Sequence, residues 1–363
     1  MQVTGLYSIR GRGAAFNPPN RFEPVEIVPD GDTLDADLAA DELPLPRTQF
    51  LRDTTRTILA RNDSPDIGFS VSINPYRGCE HGCIYCYARP FHEYLGFSAG
   101  IDFETRILVK EDAPLLLRNE LMKKSYSPET IVISGVTDCY QPVERKLRLT
   151  RGCLEVLAEF RNPVSLITKN HLVTRDIDVL GELARHEAAS VSISITTLDE
   201  KLQRVMEPRT STPRRRLLAI EKLATAGIPV GVMVAPIIPA ITDEEAGAIL
   251  GAARDAGAKW AGYVMLRLPH AVAPLFEDWL THHFPDRKEK VLNRVRSMRG
   301  GRLYDSTWGV RGRGTGEMAD QIGALFRAAR RRAGYEEDAS RYALSTAAFR
   351  RPHRHGQLAL FDE

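Results

Sequence analysis

Three cysteines crowd into one short run, Asn74-Pro75-Tyr76-Arg77-Gly78-Cys79-Glu80-His81-Gly82-Cys83-Ile84-Tyr85-Cys86-Tyr87-Ala88-Arg89, in a C-x3-C-x2-C spacing. Thiolates are soft donors that suit zinc, copper(I) or iron–sulfur clusters. A structural zinc site or a closed cluster normally takes four protein ligands, and this run supplies three. A [4Fe–4S] cube held by three thiolates keeps one iron free for a small molecule. Gly78 and Gly82 allow the tight turns that wrap a loop around such a cube. The competing reading is a zinc knuckle with a distant fourth ligand. The run follows an apolar, β-branched stretch and opens an α/β pattern, whereas zinc knuckles are small and isolated.

The chain has 363 residues, enough for one large domain with appendages. Its formal net charge is only +2, so global charge says little about partners. Five cysteines with three of them clustered do not read as a disulfide framework, which points to a reducing compartment. No apolar run reaches the roughly 18 residues of a membrane span. The amino terminus carries no apolar signal-peptide core. A soluble, cytoplasmic protein without membrane contact is the expectation.

The spacing, with an aromatic before the last cysteine, resembles the signature of the radical S-adenosylmethionine (radical SAM) superfamily. The resemblance implies that Cys79, Cys83 and Cys86 hold a [4Fe–4S] cluster and that SAM chelates the open iron. An electron from the reduced cluster then cleaves the sulfonium and frees a 5′-deoxyadenosyl radical, which takes a hydrogen atom from substrate. It also implies an electron donor such as flavodoxin or ferredoxin.

Along the chain, residues 1–45 look extended or disordered, with Arg10, Arg12, Asn17 and Arg21 ahead of an acidic run that ends at Asp41 and Glu42. They read either as a solvated tail or as a strap on the domain with its arginines near a substrate phosphate. Strand patterns then occupy 69–73, 130–135, 164–168, 190–196, 228–235 and 261–266. Helical spacing fills 114–123, 146–160, 176–186, 213–226 and 243–256. Thr212-Pro213 and Thr242-Asp243 read as helix starts, and Gly227 and Gly257 as ends. Six strands with intervening helices imply parallel βαβ units, short of the eight that close a full barrel. The expected fold is α/β: a partial (β/α)6 TIM-type barrel over 46–270, also the superfamily's usual fold. An irregular amino-terminal strap precedes it. A basic helical extension (271–335) and a basic tail (336–363) follow it. Residues 287–355 carry 17 Lys and Arg against 7 Asp and Glu, which reads as a footprint for a polyanion or as a solvated helix face.

Ser134-Gly135-Val136-Thr137-Asp138-Cys139 ends the second strand. In radical SAM enzymes this position commonly binds the SAM amino group, and Ser134, Gly135 and Thr137 fit that role. Cys139 reads as a hydrogen-atom donor or as a buried small hydrophobe; Cys153 reads as core. Lys169, after the third strand, could reach a SAM carboxylate or a substrate phosphate. Ser192, Ser194 and Thr196 share one face of the fourth strand, either lining the barrel for SAM or facing solvent at an edge. The Ala235 carbonyl, ending the fifth strand, could meet the adenine.

A closer resemblance is to spore photoproduct lyase and its photolyase-like relatives. It rests on Tyr85 and Tyr87 flanking Cys86, Val136-Thr137-Asp138, Thr168-Lys169, Ser192-Ile193-Ser194, Glu207-Pro208-Arg209-Thr210-Ser211, Gly231-Val232-Met233-Val234-Ala235-Pro236, and Trp308-Gly309 with Gly314-Thr315-Gly316. That family reverses a thymine dimer in DNA, returning a hydrogen through a cysteine and tyrosines. Tyr85 and Tyr87 match the relay tyrosines. The family's donor cysteine falls near Gly135 or Val136, a few residues before Cys139. The tail residues Gln357, Leu358, Leu360 and Phe361 resemble the peptide by which bacterial repair proteins bind the DNA polymerase sliding clamp, or else they dock on their own domain. The leading expectation is a radical SAM enzyme acting on nucleic acid, probing DNA through the basic carboxyl region. The alternatives are a radical SAM enzyme for a peptide or small metabolite, and a non-catalytic clamp-binding or metal-binding adaptor.

Overall fold

The computed structural model describes residues 9–23, 46–336 and 343–352. Two short strands, β1 (Gln49–Arg52) and β2 (Leu59–Arg61), precede the first expected strand, β3 (Val71–Ile73). Then come β4 (Tyr76–Arg77), helix α1 (Ile101–Thr105), β5 (Arg106–Val109), α2 (Ala113–Leu121) and β6 (Ile131–Ile133). Next are α3 (Glu144–Leu147), α4 (Leu149–Phe160), β7 (Val164–Thr168), α5 (Ile177–Ala184) and β8 (Ala189–Ser194). α6 (Glu200–Met206), α7 (Pro213–Thr225), β9 (Val230–Ile237), α8 (Ala246–Asp255) and β10 (Ala261–Met265) complete the alternation. Three helices close the described chain: α9 (Val272–His283), α10 (Lys288–Ser297) and α11 (Glu317–Arg332).

The main sheet runs β10-β9-β8-β7-β6-β3-β2. From β3 to β10 every neighbouring pair is parallel, and only β2 joins antiparallel at the edge. Parallel neighbours require long crossovers, and the helices supply them. The result is the expected six-unit partial barrel. Val164, Leu166, Val191, Ile193, Val230 and Val232 are fully buried in one core with Leu154, Leu157 and Phe160 of α4 and Ile220 and Leu223 of α7. The alternating partners on β8 are Ser190, Ser192 and Ser194, and they are buried as well. β8 sits between β7 and β9, so the hydroxyl stripe faces the barrel interior and not a solvent edge.

Three features depart from the sequence pattern. The helix expected over 146–160 starts at Glu144 and is broken at Arg148, whose φ of 55° is left-handed, so that α3 and α4 are separate. A second sheet, β1-β5-β4, supports the cysteine run, which leaves β4 and not β3 directly. Its strands have only two to four residues, too few for a period of two to stand out in the sequence. Residues 9–23 are not a solvated tail: Asn17 bonds Asp102 (3.1 Å), Asn20 bonds the Glu93 and Phe97 carbonyls, and Arg12 donates to the Glu104 carbonyl (2.9 Å) and to that of Pro46 (2.7 Å). Arg21 meets the Glu93 carboxylate at 2.6 Å. Arg12 and Arg21 are therefore committed to protein partners rather than offered to a phosphate, while Arg10 is exposed.

The strap crosses the cysteine loop backbone against backbone. A Cβ on Gly13 would lie 1.8 Å from the Gly82 carbonyl oxygen. Gly13→Ala is accordingly expected to push the strap off the loop. Overpacking of this kind costs about 1–3 kcal/mol, and chemical denaturation should show that loss. An unchanged unfolding free energy would mean that the strap does not pack there.

Candidate functional site

The site forms at the carboxyl ends of the parallel strands, where barrels of this type carry their chemistry. The cysteine loop lies across those ends. Gly78 and Gly82 take φ of 80° and 67°, giving the two left-handed turns that fold the loop back on itself. Cys79 and Cys83 are buried and Cys86 is partly so. Cys79 and Cys86 share a small apolar cluster with Ala88, Phe103 and Val136, while Cys86 also borders the cluster that holds Cys83. Burial raises the Cys86 thiol to about 11, with Cys79 adding to the effect and Arg89 opposing it. Cys83 is raised by burial and by the Glu207 carboxylate, against Lys169. Buried thiols that oppose one another's ionisation are stabilised as thiolates when a metal centre compensates their charge. No three His, Cys, Asp or Glu side chains among the described residues converge as ligands of a single ion would.

Two buried ion pairs hold the loop from opposite sides. Arg89 donates to the Cys83 carbonyl (3.0 Å) and to Glu104 (2.5 Å), and both side chains are wholly buried. Glu104 also accepts from the Gly13 and Ala14 amides at 3.0 and 2.9 Å. On the barrel side, Tyr85 donates its hydroxyl to Glu207, which Arg216 also grips. Arg216 reaches the Ser194 carbonyl at 3.0 Å, so the pair ties the loop to the end of β8. Burial works against the Glu207 charge, yet Arg216 and Lys169 hold its carboxyl at about 2.

The loop after β6 closes on the cysteines from a third side. Thr137 donates to the Gly78 carbonyl at 2.7 Å, and the Ser134 hydroxyl meets the Thr137 carbonyl. The Gly135 carbonyl accepts from the Tyr87 hydroxyl at 2.7 Å. Asp138 accepts from the Thr168 hydroxyl (2.7 Å) and the Lys169 amide (2.8 Å), which joins this loop to the end of β7. It also accepts from the Tyr140 amide (2.9 Å) and meets buried His81, with Nδ1 at 3.4 Å. Burial disfavours a charged His81, but Asp138 and Cys79 outweigh it and push its pKa up to about 10. Ser134, Gly135, Thr137 and Lys169, with Ser194 at the end of β8, thus stand at one end of the barrel with the cysteines, and Ser192 lies two residues further into β8.

Three expected residues are placed otherwise. Cys139 is fully buried in the main core, its amide on the Ser134 hydroxyl and its carbonyl on Thr150, so its thiol has no face toward a substrate. Tyr85 spends its hydroxyl on Glu207 and on Thr196 (3.1 Å) beneath the loop, as an anchor. The Ala235 carbonyl already has two partners, Lys169 Nζ and the Thr196 hydroxyl, each at 3.0 Å. Tyr87, by contrast, is 43% exposed, and the Arg267 guanidinium lies 5.0 Å from its ring. Arg89, Glu104, His81, Glu207 and Arg216 escaped the sequence reading. Glu207 lies in a run that the resemblance singles out, but its buried partner is nine residues away with no periodicity to mark it.

Residues 73–253 match the model of the radical SAM superfamily. The chain belongs to the radical SAM superfamily. As in that superfamily, its cofactors are a [4Fe–4S] cluster and SAM. An uncharacterised protein of Mycobacterium tuberculosis is 38% identical over 220 residues, covering 60% of this chain and 65% of the relative. The chain therefore spans less than two thirds of that relative's length. An uncharacterised protein of Methanocaldococcus jannaschii is 32% identical over 178 residues, 49% of this chain and 64% of the relative. Among solved structures, spore photoproduct lyase complexed with dinucleoside spore photoproduct superposes with a TM-score of 0.55 over 78% of each chain at 17% identity, a likeness of fold. Among the described residues no helix of this radical SAM protein is long and apolar enough to cross a membrane.

Neutralising Glu207 strands a buried guanidinium. Breaking a buried pair from one side typically costs about 3–5 kcal/mol, and Glu207→Gln should show a loss of that order in denaturant unfolding. Because its folded carboxyl sits below the ordinary 4.5, at about 2, Glu207 stabilises the fold above 4.5 and loses that contribution as pH falls toward 2. Glu207→Gln should flatten the stability profile in that window.

Proposed function

We propose that this protein is a radical SAM enzyme that acts on nucleic acid, with a DNA lesion as substrate. The observation that carries the radical SAM part is the loop itself: three thiols gathered at the strand ends, with small polar groups from the loop after β6 beside them. In this reading Cys79, Cys83 and Cys86 hold the cluster, which supplies the electron that cleaves SAM. Ser134, Gly135 and Thr137 border the site of the SAM amino group. Lys169 supplies a positive charge for a carboxylate, and Ser192 and Ser194 offer hydroxyls to the ribose. Tyr87, exposed beside Gly135, takes the role of hydrogen return that Cys139 and Tyr85 are too buried to fill.

The nucleic-acid part is supported by aromatic rings interleaved with arginines around the loop. Phe22 and Tyr94 stack at 4.6 Å, with Arg21 4.9 Å from the Phe22 ring. Both rings are more than half exposed, at 51% and 67%. Phe91 adds a third ring, 6.4 Å from Tyr94. Exposed rings of this kind stack on unpaired bases. The solved lyase of like fold carries a dinucleoside photoproduct, which agrees with this substrate class. The basic carboxyl region contributes fewer free cations than its composition suggests. Arg299 donates to the Leu266 and Val310 carbonyls, Arg311 to Asp66, and Arg351 to the Leu121, Lys123 and Tyr126 carbonyls. Exposed Arg302, Arg331 and Arg332 remain for phosphates. The proposed clamp-binding residues Gln357, Leu358, Leu360 and Phe361 lie outside the described residues.

Two measurements test this. After anaerobic reconstitution, Cys83→Ala should lose the brown iron–sulfur absorption and the release of 5′-deoxyadenosine, and a variant that keeps both would refute the ligand assignment. Binding of a single-stranded oligonucleotide should fall linearly with the logarithm of salt concentration. Absence of affinity at low salt, with SAM cleavage intact, would remove nucleic acid and leave a peptide or small metabolite as substrate.

A further inference from the structure

Outside the cysteine site, a cationic cavity opens between α3, the segment after β7 and the amino end of α7. It encloses about 290 Å³ and is lined by Arg145, Asn170, His171, Ser211 and Arg215 among others. An adjoining hollow of about 290 Å³ shares Arg145, Asn170, Ser211 and Arg215 and adds Arg209. No Asp or Glu lines either one.

The charges in this wall differ in how far they are compensated. Arg175 is neutralised by Glu144 and Asp176, and Arg209 meets Glu80 at 3.3 Å. Arg145 and Arg215 have no carboxylate within ion-pair distance among the described residues, and their guanidinium groups make no hydrogen bond there. Nε2 of His171 is buried and likewise without a partner among the described residues. Burial and the nearby positive charges of Arg215, Lys222 and Arg145 lower the pKa of this histidine. Like charges gathered in a concave wall without an acid raise the local concentration of anions. The donors also fit an oxyanion: two forked guanidiniums that bind phosphate bidentately, beside the first turn of α7, a helix of 13 residues.

We propose that this cavity is a binding site for a phosphate-type oxyanion, held chiefly by Arg145 and Arg215. The site is distinct from the barrel interior. Its wall is nonetheless tied to the cysteine loop, because Asn170 Nδ2 lies 3.1 Å from Nε2 of His81. The anion is either a phosphate of a nucleic-acid strand or a free phosphate or nucleotide. The site does not depend on the nucleic-acid reading of the barrel.

The test uses the full chain and inorganic phosphate, titrated by calorimetry and by thermal shift at constant ionic strength in chloride. Phosphate should bind the wild type and raise its melting temperature. Arg145→Ala and Arg215→Ala, both at exposed positions, should each weaken binding by roughly tenfold, as expected for loss of one charge-assisted bond, without a lower melting temperature in chloride alone. Lys259→Ala, an exposed change ahead of β10 at the opposite end of the sheet, should bind as the wild type does. Competition then separates the sources. Displacement of phosphate by an oligonucleotide points to the strand, and displacement only by a nucleoside monophosphate points to a soluble ligand; both uphold the site. No phosphate binding by the wild type, or binding by both arginine variants as tight as that of the wild type, overturns it.

Discussion

The fully buried pair of Arg89 and Glu104 is the interaction on which the rest of the site depends. One guanidinium fixes the carbonyl of a cysteine, and one carboxylate fixes the amino-terminal strap. Two charges without water gain little net stability from each other, because their attraction must first offset the loss of hydration. Their value is geometric: neither can move without exposing the other unpaired. The Glu207 and Arg216 pair does the same on the barrel side, through Tyr85. A loop rich in positive-φ glycine, which would otherwise sample many shapes, is thus held between two rigid clamps.

This arrangement separates two tasks that the residue types alone do not distinguish. Polar groups around the cysteines fall into those that fasten the loop and those that remain turned toward the barrel. Tyr85, Thr196 and the Ala235 carbonyl belong to the first group, as their hydrogen bonds show. The hydroxyl stripe of β8 belongs to the second, and Tyr87 is exposed while its hydroxyl donates to the Gly135 carbonyl. Radical chemistry benefits from such a division, since a fastened scaffold keeps reactive atoms apart from groups that could quench them.

Much of the fold was legible because its signals are local. Val164–Thr168 and Pro213–Thr225 fall on the residues that periodicity indicates, since an apolar face repeated over several turns or strand pairs leaves few alternatives. The cysteine loop was legible from spacing alone. What escaped was non-local. Arg89 and Glu104 are fifteen residues apart and look like ordinary surface charges until the strap and loop enclose them. Cys139 follows an expected site segment, yet it is wholly buried in the main core. The strap showed only composition, and composition does not reveal a backbone that fits beneath a carbonyl.

The close passage of Gly13 over Gly82 has a consequence for how the molecule is put together. Residues 9–23 can seat only on a cysteine loop in its final shape, since Gly13 is received by that loop's own backbone. Removing residues through Ala14 would take two donors from the buried Glu104 carboxylate and slacken a cysteine some seventy positions downstream. The beginning of the chain is the last latch of its centre.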